Sequence, residues 1–583
     1  MFGELINIQD NYVKLENKTK VIDTNYLNVH VIFTDKERKI VGEIQSIDKD
    51  TINILLIGEI INDVYIHGIL RKPNLNNGCR IIYKSELELL LGSQDIDNKN
   101  IFYIGKSLVY EGFNISGNFN KFFSNHFAII GNTGSGKSCS VARIMQNIFL
   151  KSGENLPKNA HMVFFDVYGE YNNAFNNLNN IDGLGFKNFS AVPNSGCEII
   201  NIPAYFLGVD DLAILLNATS HNQLPIIEKT LKLVYIFKSN DEKVTKYKDD
   251  IIANCLLDIL TSGRTSTQMR DQVIAILTRY NTNTLNLETP IVQPGYTRTI
   301  KQCLNIDNQG KMNSVQFVVD MLEKHTKLDL GKINIENNFI YTLDDIYYAL
   351  EFALISEGVL KSDKMYDEYN QLKIRLEQII NSDYKHIFKT ENYISKSAYI
   401  QNLFNNTKKY QILNFNLSNI DERFAKKITK IFSKLFFDYS TMLQVRGSYP
   451  IHIILEEAHR YVQNDSDTEI LGYNIFDRIT KEGRKYGVIL GLITQRPSEL
   501  SITALSQCSN FIVLRMFYPE DLNIIKAISV NLNENIYEKI KTFLPGSALL
   551  LGVAFKLPVL TQLELPNPMP ESTSVDISSR WFE

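Results

Sequence analysis

The chain has 583 residues, of which 44% are hydrophobic and 22% are charged, and its formal net charge is −4. This length predicts several domains, and the composition is that of a globular protein. The net charge excludes a generally basic nucleic-acid coat but allows a locally basic channel. Six scattered cysteines without a C-x-x-C pair favour reduced thiols over a disulfide framework or a zinc site. With no signal peptide and no apolar run long enough to cross a bilayer, the protein is expected to be cytoplasmic and without membrane contact.

Short segments rich in β-branched and aromatic residues fill residues 1–105. Clusters of Asp, Asn, Lys and Gly separate them, as is typical of strands in a small barrel or sandwich. The predicted strands are Val29–Phe33, Ile40–Ile44, Thr51–Ile57 and Val64–Ile69. No catalytic grouping occurs here, so docking or oligomer contact is the expected role of this region.

A glycine-rich octamer follows an apolar strand pattern and precedes a helical one. It reads G-N-T-G-S-G-K-S and fits the phosphate-loop pattern G-x-x-x-x-G-K-[ST]. Free backbone N–H groups and the positive end of the helix dipole stabilise phosphate at such a loop. Lys137 is predicted to reach the β- and γ-phosphates of ATP, and the Ser138 hydroxyl to ligate Mg²⁺. The predicted nucleotide-binding residues here are Gly131, Asn132, Thr133, Gly134, Ser135, Gly136, Lys137, Ser138 and Cys139.

A second buried-strand pattern, His161–Asp166, ends in a carboxylate, and Glu170 follows it closely. In α/β sheets ligands bind at the carboxyl ends of strands, so Asp166 and Glu170 are predicted to face the nucleotide or its water. The alternative is that Asp166 only caps the following turn, and the local sequence leaves both interpretations open.

The remaining chain divides by its periodicity. Helical spacing dominates residues 205–405, whereas strand and helix patterns alternate in 106–204 and again in 406–565. Such alternation predicts an α/β core with a mostly parallel sheet and helices on both faces. The helical block is therefore predicted to be an insertion that splits this core in sequence. Residues 566–583, rich in proline and serine, are predicted to form an extended C-terminal tail.

Two carboxylates end a later apolar strand. Hydrolysis of a bound nucleotide needs a carboxylate near the metal and a base for the attacking water. Glu456 is predicted to support Mg²⁺ through a water shared with Ser138, and Glu457 to polarise the nucleophilic water. Gln495 ends the next strand, where its amide is predicted to sense the γ-phosphate or orient water. The alternative is that Glu456 and Glu457 are only surface residues at the end of a strand. It is disfavoured because charged residues rarely end a buried run without a partner.

Cations cluster just before that next strand, in the segment 478–487. Arginine stabilises the charge of a transferring phosphoryl group, and one supplied by a neighbouring subunit raises the rate about 10³–10⁵-fold. Arg478 and Arg484 are the candidates for this role. The alternative, a solvated basic helix end favoured by the helix dipole, stays open.

Taken together, the motifs resemble those of the HerA family, hexameric DNA-translocating ATPases related to FtsK and to conjugation ATPases. The resemblance spans the chain and rests on the phosphate loop, D-V-Y-G-E-Y at 166–171, L-E-E-A-H at 455–459, K-E-G-R-K-Y-G at 481–487, T-Q-R-P-S at 494–498 and S-Q-C-S-N-F-I-V-L-R at 506–515. The sequence differs from the usual family motifs at two places. Val-Tyr follows Asp166 where Pro-His is usual, and Lys481 stands where Arg is usual. The second departure favours Arg484 over position 481 as the finger.

The resemblance implies a RecA-like core, an N-terminal β-barrel, a helical subdomain and a homohexameric ring with double-stranded DNA in its pore. It also implies a partner nuclease or effector, NurA-like, sirtuin-like or other, that docks near the β-barrel. The leading hypothesis is an ATP-driven DNA motor in end processing or antiviral defence. The alternative is an ATP-gated ring that scaffolds and switches a partner enzyme. A small-molecule kinase is a weaker third class, disfavoured by the Glu-Glu pair.

Overall fold

The computed structural model describes residues 4–18, 26–35, 38–69, 71–193, 196–239, 241–326, 339–358, 363–463, 465–529, 534–572 and 577–582. The chain forms two compact units. The larger comprises Met1–Ile199, Ser397–Asp465 and Asn474–Glu583, and the smaller comprises Ile200–Lys396 and Ser466–Tyr473. None of the helices in the described ranges has the length and apolar character needed to traverse a bilayer.

An antiparallel sheet forms the N-terminal part of the larger unit. Its elements are β1 (Leu5–Gln9), β2 (Tyr12–Glu16), β3 (His30–Asp35), β4 (Arg38–Ile47), β5 (Thr51–Ile61), β6 (Val64–His67) and β7 (Cys79–Ile81), followed by helix α1 (Lys84–Leu91). The strand order is β1-β2-β5-β4-β3-β7, with β6 paired to β5. Burial alternates along β5, because one face of the strand packs on an apolar core. All four strands predicted from composition are present, and closure of the sheet into a barrel stays a prediction.

The second sheet begins in the first part of the larger unit. Its elements up to the helical insertion are β8 (Ile101–Ser107), β9 (Asn114–Asn118), α2 (Phe119–Phe123), β10 (Phe127–Ile130), α3 (Lys137–Ile148), β11 (Met162–Asp166), α4 (Tyr171–Phe175), β12 (Phe186–Ser190) and β13 (Glu198–Ile199). Residue 105, where the sequence placed the end of the N-terminal region, lies inside β8 of this sheet.

The smaller unit is helical apart from one hairpin. Its elements, with α13 crossing its boundary, are α5 (Val209–Leu215), α6 (Gln223–Lys238), α7 (Glu242–Leu260), α8 (Ser266–Arg279), β14 (Pro290–Gln293), β15 (Tyr296–Thr299), α9 (Ile300–Cys303), α10 (Val315–Thr326), α11 (Leu343–Gly358), α12 (Asp363–Ile380) and α13 (Lys396–Phe404). The predicted helical character is confirmed. The sequence analysis did not anticipate the hairpin, which is only four residues long on each side.

The large sheet resumes after this insertion. Its later elements are β16 (Ile412–Asn416), α14 (Glu422–Met442), β17 (Ile451–Leu455), α15 (Asp467–Leu471, in the smaller unit), α16 (Ile475–Tyr486), β18 (Val488–Thr494), α17 (Ile502–Ser506), β19 (Asn510–Val513), α18 (Pro519–Ile528), α19 (Glu534–Thr542), β20 (Ser547–Gly552), β21 (Val559–Gln562) and α20 (Ile577–Trp581). The predicted extended tail is wrong where α20 forms, since the last proline precedes that segment and a helix becomes sterically allowed.

Twelve described strands pair in the order β13-β12-β16-β11-β17-β18-β10-β19-β20-β21-β8-β9. The pairs from β13 to β19 are parallel, and the remaining pairs are antiparallel. The predicted α/β class with a mostly parallel sheet is therefore confirmed. Every residue of β10 and β18 is buried, which explains why these strands read as unbroken apolar runs. In a parallel sheet the carboxyl ends of the strands lie along one edge, and this edge carries the predicted site residues other than the two arginines of α16.

Candidate active site

The glycine-rich loop connects the buried strand β10 to helix α3. Gly134 and Gly136 adopt φ values of +73° and +83°, which favour glycine. A Cβ on Gly136 would lie 3.1 Å from the backbone nitrogen of Gly546, so this position is also sterically confined. Helix α3 starts at Lys137 without a side-chain cap, which leaves its first N–H groups for an anion. The loop therefore has the conformation that phosphate binding requires.

A buried polar cluster joins this loop to the ends of β17 and β18. Lys137 Nζ lies 2.6 Å from Glu457 Oε1, and their side chains are 8% and 1% exposed. Gln495 Nε2 donates to the same carboxylate oxygen at 2.6 Å. Thr133 Oγ1 donates to Gln495 Oε1 at 2.5 Å. The structure thus brings together four predicted site residues from two stretches of the chain that lie more than 300 positions apart.

Glu457 is held in an unusual backbone conformation. Its φ is +46°, in the left-handed region that non-glycine residues rarely adopt, and a 3₁₀ turn from Ala458 to Arg460 follows it. Such strain persists where the surrounding structure determines it, often at a functional site. His459 Nδ1 lies 3.3 Å from Glu457 Oε2 and 3.0 Å from Thr494 Oγ1. Burial lowers the pKa of His459, so the imidazole is neutral at neutral pH. His459 was not among the predicted site residues. Its position two residues after Glu457 was the signal that could have identified it.

Glu456 is 1% exposed, as is Glu457. Burial, reinforced by the nearby carboxylates of Asp166 and Glu170, raises its pKa well above the ordinary value. Its Oε1 accepts a hydrogen bond from the Tyr171 hydroxyl at 3.4 Å, and its buried Oε2 has no hydrogen-bond partner among the described residues. In the absence of a cation, the neutral carboxyl form is therefore favoured.

Asp166 caps the loop that follows its strand. Its Oδ1 accepts from the backbone nitrogens of Gly169 at 2.8 Å and Glu170 at 3.1 Å, and its Oδ2 accepts from that of Tyr171 at 3.0 Å. Asn414 Nδ2 adds a donor at 3.2 Å. These contacts realise the capping arrangement, one of the two interpretations that the sequence left open.

The carboxylate next to Ser138 is that of Glu170. The Ser138 hydroxyl hydrogen-bonds to Glu170, and burial raises the pKa of Glu170. Its Oε2 is buried and lacks a partner within the described ranges. Cys139 follows in the first turn of α3, where burial raises its thiol pKa and makes a reactive thiolate unfavourable.

The oxygen atoms at this edge suit Mg²⁺. The ion takes oxygen ligands and is usually held by one or two protein groups together with substrate phosphates. The Ser138 hydroxyl and the unpartnered carboxylate oxygens of Glu170 and Glu456 are groups of this kind. In the part of the chain that the structure describes, no set of three His, Cys, Asp or Glu side chains is arranged to hold a metal alone. The residues therefore fit a metal that is bound together with a nucleotide.

The two candidate arginines lie on α16, away from this edge. Arg484 is exposed near the C-terminal end of α16, just before β18 begins, and its side chain makes no hydrogen bond or ion pair with any described residue. Lys137, in contrast, follows the carboxyl end of the neighbouring strand β10. Arg478 packs over the Phe437 ring at 5.2 Å, and its Nε lies 3.7 Å from Glu482. Neither arginine is thus placed against the glycine-rich loop of its own chain.

A third arginine does contact that loop. Arg515 Nη2 donates to the carbonyl oxygen of Gly134 at 3.0 Å. The sequence analysis quoted Arg515 as the end of a motif and assigned it no role. A signal was present, because the residue directly follows a strand pattern at the same edge of the sheet.

Comparison with known proteins points to the family that the motifs resemble. Residues 102–321 match the family model described as "Helicase HerA, central domain". A DNA double-strand break repair helicase HerA of Pyrococcus furiosus is 23% identical over 502 residues, covering 84% of this chain and 73% of that protein. The corresponding helicase of Saccharolobus solfataricus is 32% identical over 133 residues, covering 23% of this chain and 26% of that protein.

Solved structures with a related arrangement are more distant. The bacterial conjugative coupling protein TrwBΔN70 superposes with a TM-score of 0.41 at 10% identity, covering 84% of this chain and 94% of that one. VirB4 of Thermoanaerobacter pseudethanolicus gives a TM-score of 0.39 at 10% identity, covering 82% of this chain and 98% of that one. The sequence matches fall on the family that the motifs had indicated.

Proposed function

Because the chain belongs to the HerA family of P-loop ATPases, we propose that it couples ATP hydrolysis to the movement of double-stranded DNA. Relatives at 23% and 32% identity are named DNA double-strand break repair helicases. We further propose that it works as a homohexameric ring with DNA in the central pore. A partner nuclease or other effector would dock on the N-terminal sheet, which carries no catalytic grouping.

The observation that carries the proposal is the cluster of Lys137, Glu457, Gln495 and Thr133. Phosphate oxygens would replace Glu457 as the partner of Lys137, since both compete for one ammonium group at 2.6 Å. Glu457 would then be free to orient and deprotonate the attacking water. Gln495, bonded to both the loop and Glu457, would report the presence of the γ-phosphate.

Divalent-metal binding completes this picture of the site. Mg²⁺, when bound, would neutralise charge on the β- and γ-phosphates. Ser138 would hold it directly, and Glu456 would support it through a shared water. Glu170 is a further oxygen donor beside Ser138. Glu456 would lose its proton as the metal binds, because the cation favours the ionised carboxylate.

A ring is supported by the position of Arg484. The exposed guanidinium lies at the edge of the sheet opposite its own glycine-rich loop, so in a head-to-tail ring it is free to complete a neighbour's site. Arg478 is the weaker candidate, because it already packs against Phe437. DNA contacts in such a motor involve mainly the phosphate backbone, so binding should weaken as salt rises.

Complementation between two inactive variants tests this function. Lys137→Ala and Arg484→Ala should each abolish DNA-stimulated ATP hydrolysis. If Arg484 acts on the neighbouring subunit, mixing the two variants should restore turnover, because some interfaces then combine an intact loop with an intact arginine. Failure of the mixture to recover would refute the shared site.

Stimulation by DNA tests the motor itself. Turnover should rise with double-stranded DNA at low salt and lose this stimulation as salt increases. Arg270→Ala is a control for the loss of an arginine as such, and it should keep the stimulation by DNA. Among the described residues, Arg270 pairs with its neighbour Asp271 in the smaller unit. Equal turnover with and without DNA at low salt would rule out a DNA motor.

A further inference from the structure

We propose that Arg515 is a positioning residue that holds the phosphate loop of its own chain in the nucleotide-binding conformation. The inference rests on the proposed use of this loop for ATP, but not on DNA movement. It starts from the parallel pairing of β10 with β19, in which Ile130 lies opposite Val513. The segment after β19 is thereby aligned with the loop after β10.

The pairing continues past the ends of both strands. Leu514 N donates to Ile130 O at 2.7 Å, and Asn132 N donates to Arg515 O at 3.0 Å. Asn132 Oδ1 accepts from Phe517 N at 3.1 Å. Ile130 and Asn132, which flank the first glycine of the loop, are therefore fixed by the backbone around Arg515, which brings its side chain to the next turn of the loop.

The guanidinium then fixes the loop where it turns. Nη2 donates to Gly134 O at 3.0 Å, and a cation makes this a stronger bond than a neutral donor would. The bonded carbonyl belongs to the peptide whose N–H is that of Ser135, in the middle of the octamer. Holding this carbonyl also polarises that N–H, a phosphate donor in loops of this type. Without phosphate, Ser135 N donates instead to Asn132 O at 3.1 Å.

The surroundings of Arg515 favour this role over a surface contact. The residue is half-buried, and its Nε–H is buried with no hydrogen-bond partner in the described residues. Arg515 lies at the carboxyl edge of the sheet and Arg484 before the opposite edge, so the two arginines have separate tasks. Arg515 acts in its own subunit, through the loop rather than on the reacting atoms.

Nucleotide affinity measured without DNA tests the proposal. Fluorescent ADP and a non-hydrolysable ATP analogue are titrated against the full chain and its Arg515→Ala, Arg515→Lys and Arg515→Gln variants. Arg515→Ala should raise both dissociation constants about tenfold, the effect of losing one charge-assisted hydrogen bond. Arg515→Lys should restore most of the affinity, because it keeps a charged donor. The melting temperature without nucleotide should stay at the parental value in both variants.

The following outcomes decide the question. An unchanged nucleotide affinity in Arg515→Ala would overturn the inference. The same holds if Arg515→Ala and Arg515→Lys lose affinity equally and both melt at a lower temperature. If Arg515→Ala does not fold, Arg515→Gln, which keeps a neutral donor, must bind more weakly than the parent. Lys137→Ala separates the two proposals: if it binds nucleotide normally, the proposed function fails, whereas its loss of binding beside a normal Arg515→Ala refutes only the role of Arg515.

Discussion

Replacing Glu457 by glutamine should make the enzyme bind ATP more tightly while it hydrolyses ATP far more slowly. Glu457 has two roles in the structure. It is the predicted base for the attacking water, and it is the partner that occupies Lys137 before phosphate arrives, at 2.6 Å. Glutamine keeps the size and the hydrogen-bonding oxygen of the side chain but removes its charge. The substitution therefore removes the predicted base. It also weakens the side chain that competes with phosphate for Lys137.

The magnitudes follow from the chemistry of the pair. Lys137 stays charged in the variant, so its bond to glutamine remains charge-assisted and only the second charge of the pair is lost; we take about 1 kcal/mol for this loss. With both side chains buried, solvent screens little of this, and the affinity for a non-hydrolysable ATP analogue should rise about five- to tenfold. Loss of general-base catalysis should lower turnover about 10²–10⁴-fold.

Binding titrations and steady-state turnover measure the two effects separately. Glu456→Gln is the matched control, because Glu456 is already favoured as the neutral acid and hardly competes for Lys137. Its affinity for the analogue without Mg²⁺ should stay close to the parental value. The reasoning is refuted if Glu457→Gln binds no more tightly than the parent, or if the two variants gain affinity equally.

Three further predictions concern protonation and backbone geometry. Binding of the magnesium–nucleotide complex should release protons, because burial raises the pKa of Glu456 and a bound cation favours the ionised carboxylate; calorimetry in buffers of different ionisation enthalpy should detect this release, and Glu456→Gln should reduce it. Burial raises the pKa of Glu43 on β4 to about 7 from 4.5, so stability falls as pH rises between these values; Glu43→Gln should gain about 3 kcal/mol at pH 8 and little at pH 4.5 in urea unfolding. Gly136→Ala should lose ADP binding in titrations, because φ is +83° and the new methyl group crowds Gly546; normal binding would contradict this.

Short sequence patterns predicted most residues of the candidate site. An apolar strand followed by glycines located Lys137, and apolar strands ending in polar residues located Glu457 and Gln495. The structure places these three side chains together because the carboxyl ends of neighbouring parallel strands lie along one edge, and their roles stay predictions. No short stretch could have shown that Lys137 and Glu457 form an ion pair, since 320 positions separate them.

The contacts that could not be predicted from the sequence depend on loop conformation and on pairing between strands that are far apart in the chain. The carboxylate of Asp166 binds three backbone N–H groups of its own loop, and this depends on how that loop folds. The bond from Arg515 to Gly134 spans 381 positions and follows from the pairing of β19 with β10. Strand β8, grouped with the N-terminal region by its position, joins the large sheet through antiparallel pairing with β21.

The sheet itself gives a reason for an oligomer. Lys137, Glu457 and Gln495 lie at its carboxyl edge, whereas Arg484 precedes the amino end of β18. The seven residues of β18 separate the two edges, which at 3.3 Å per residue is about 20 Å and beyond the reach of an arginine side chain. Among the described residues, only Arg515 brings a guanidinium to the loop within one chain, and it binds a carbonyl oxygen there. A second positive charge from α16 on the transferring phosphoryl group therefore requires another subunit, and hydrolysis should depend on protein concentration until that neighbour is bound.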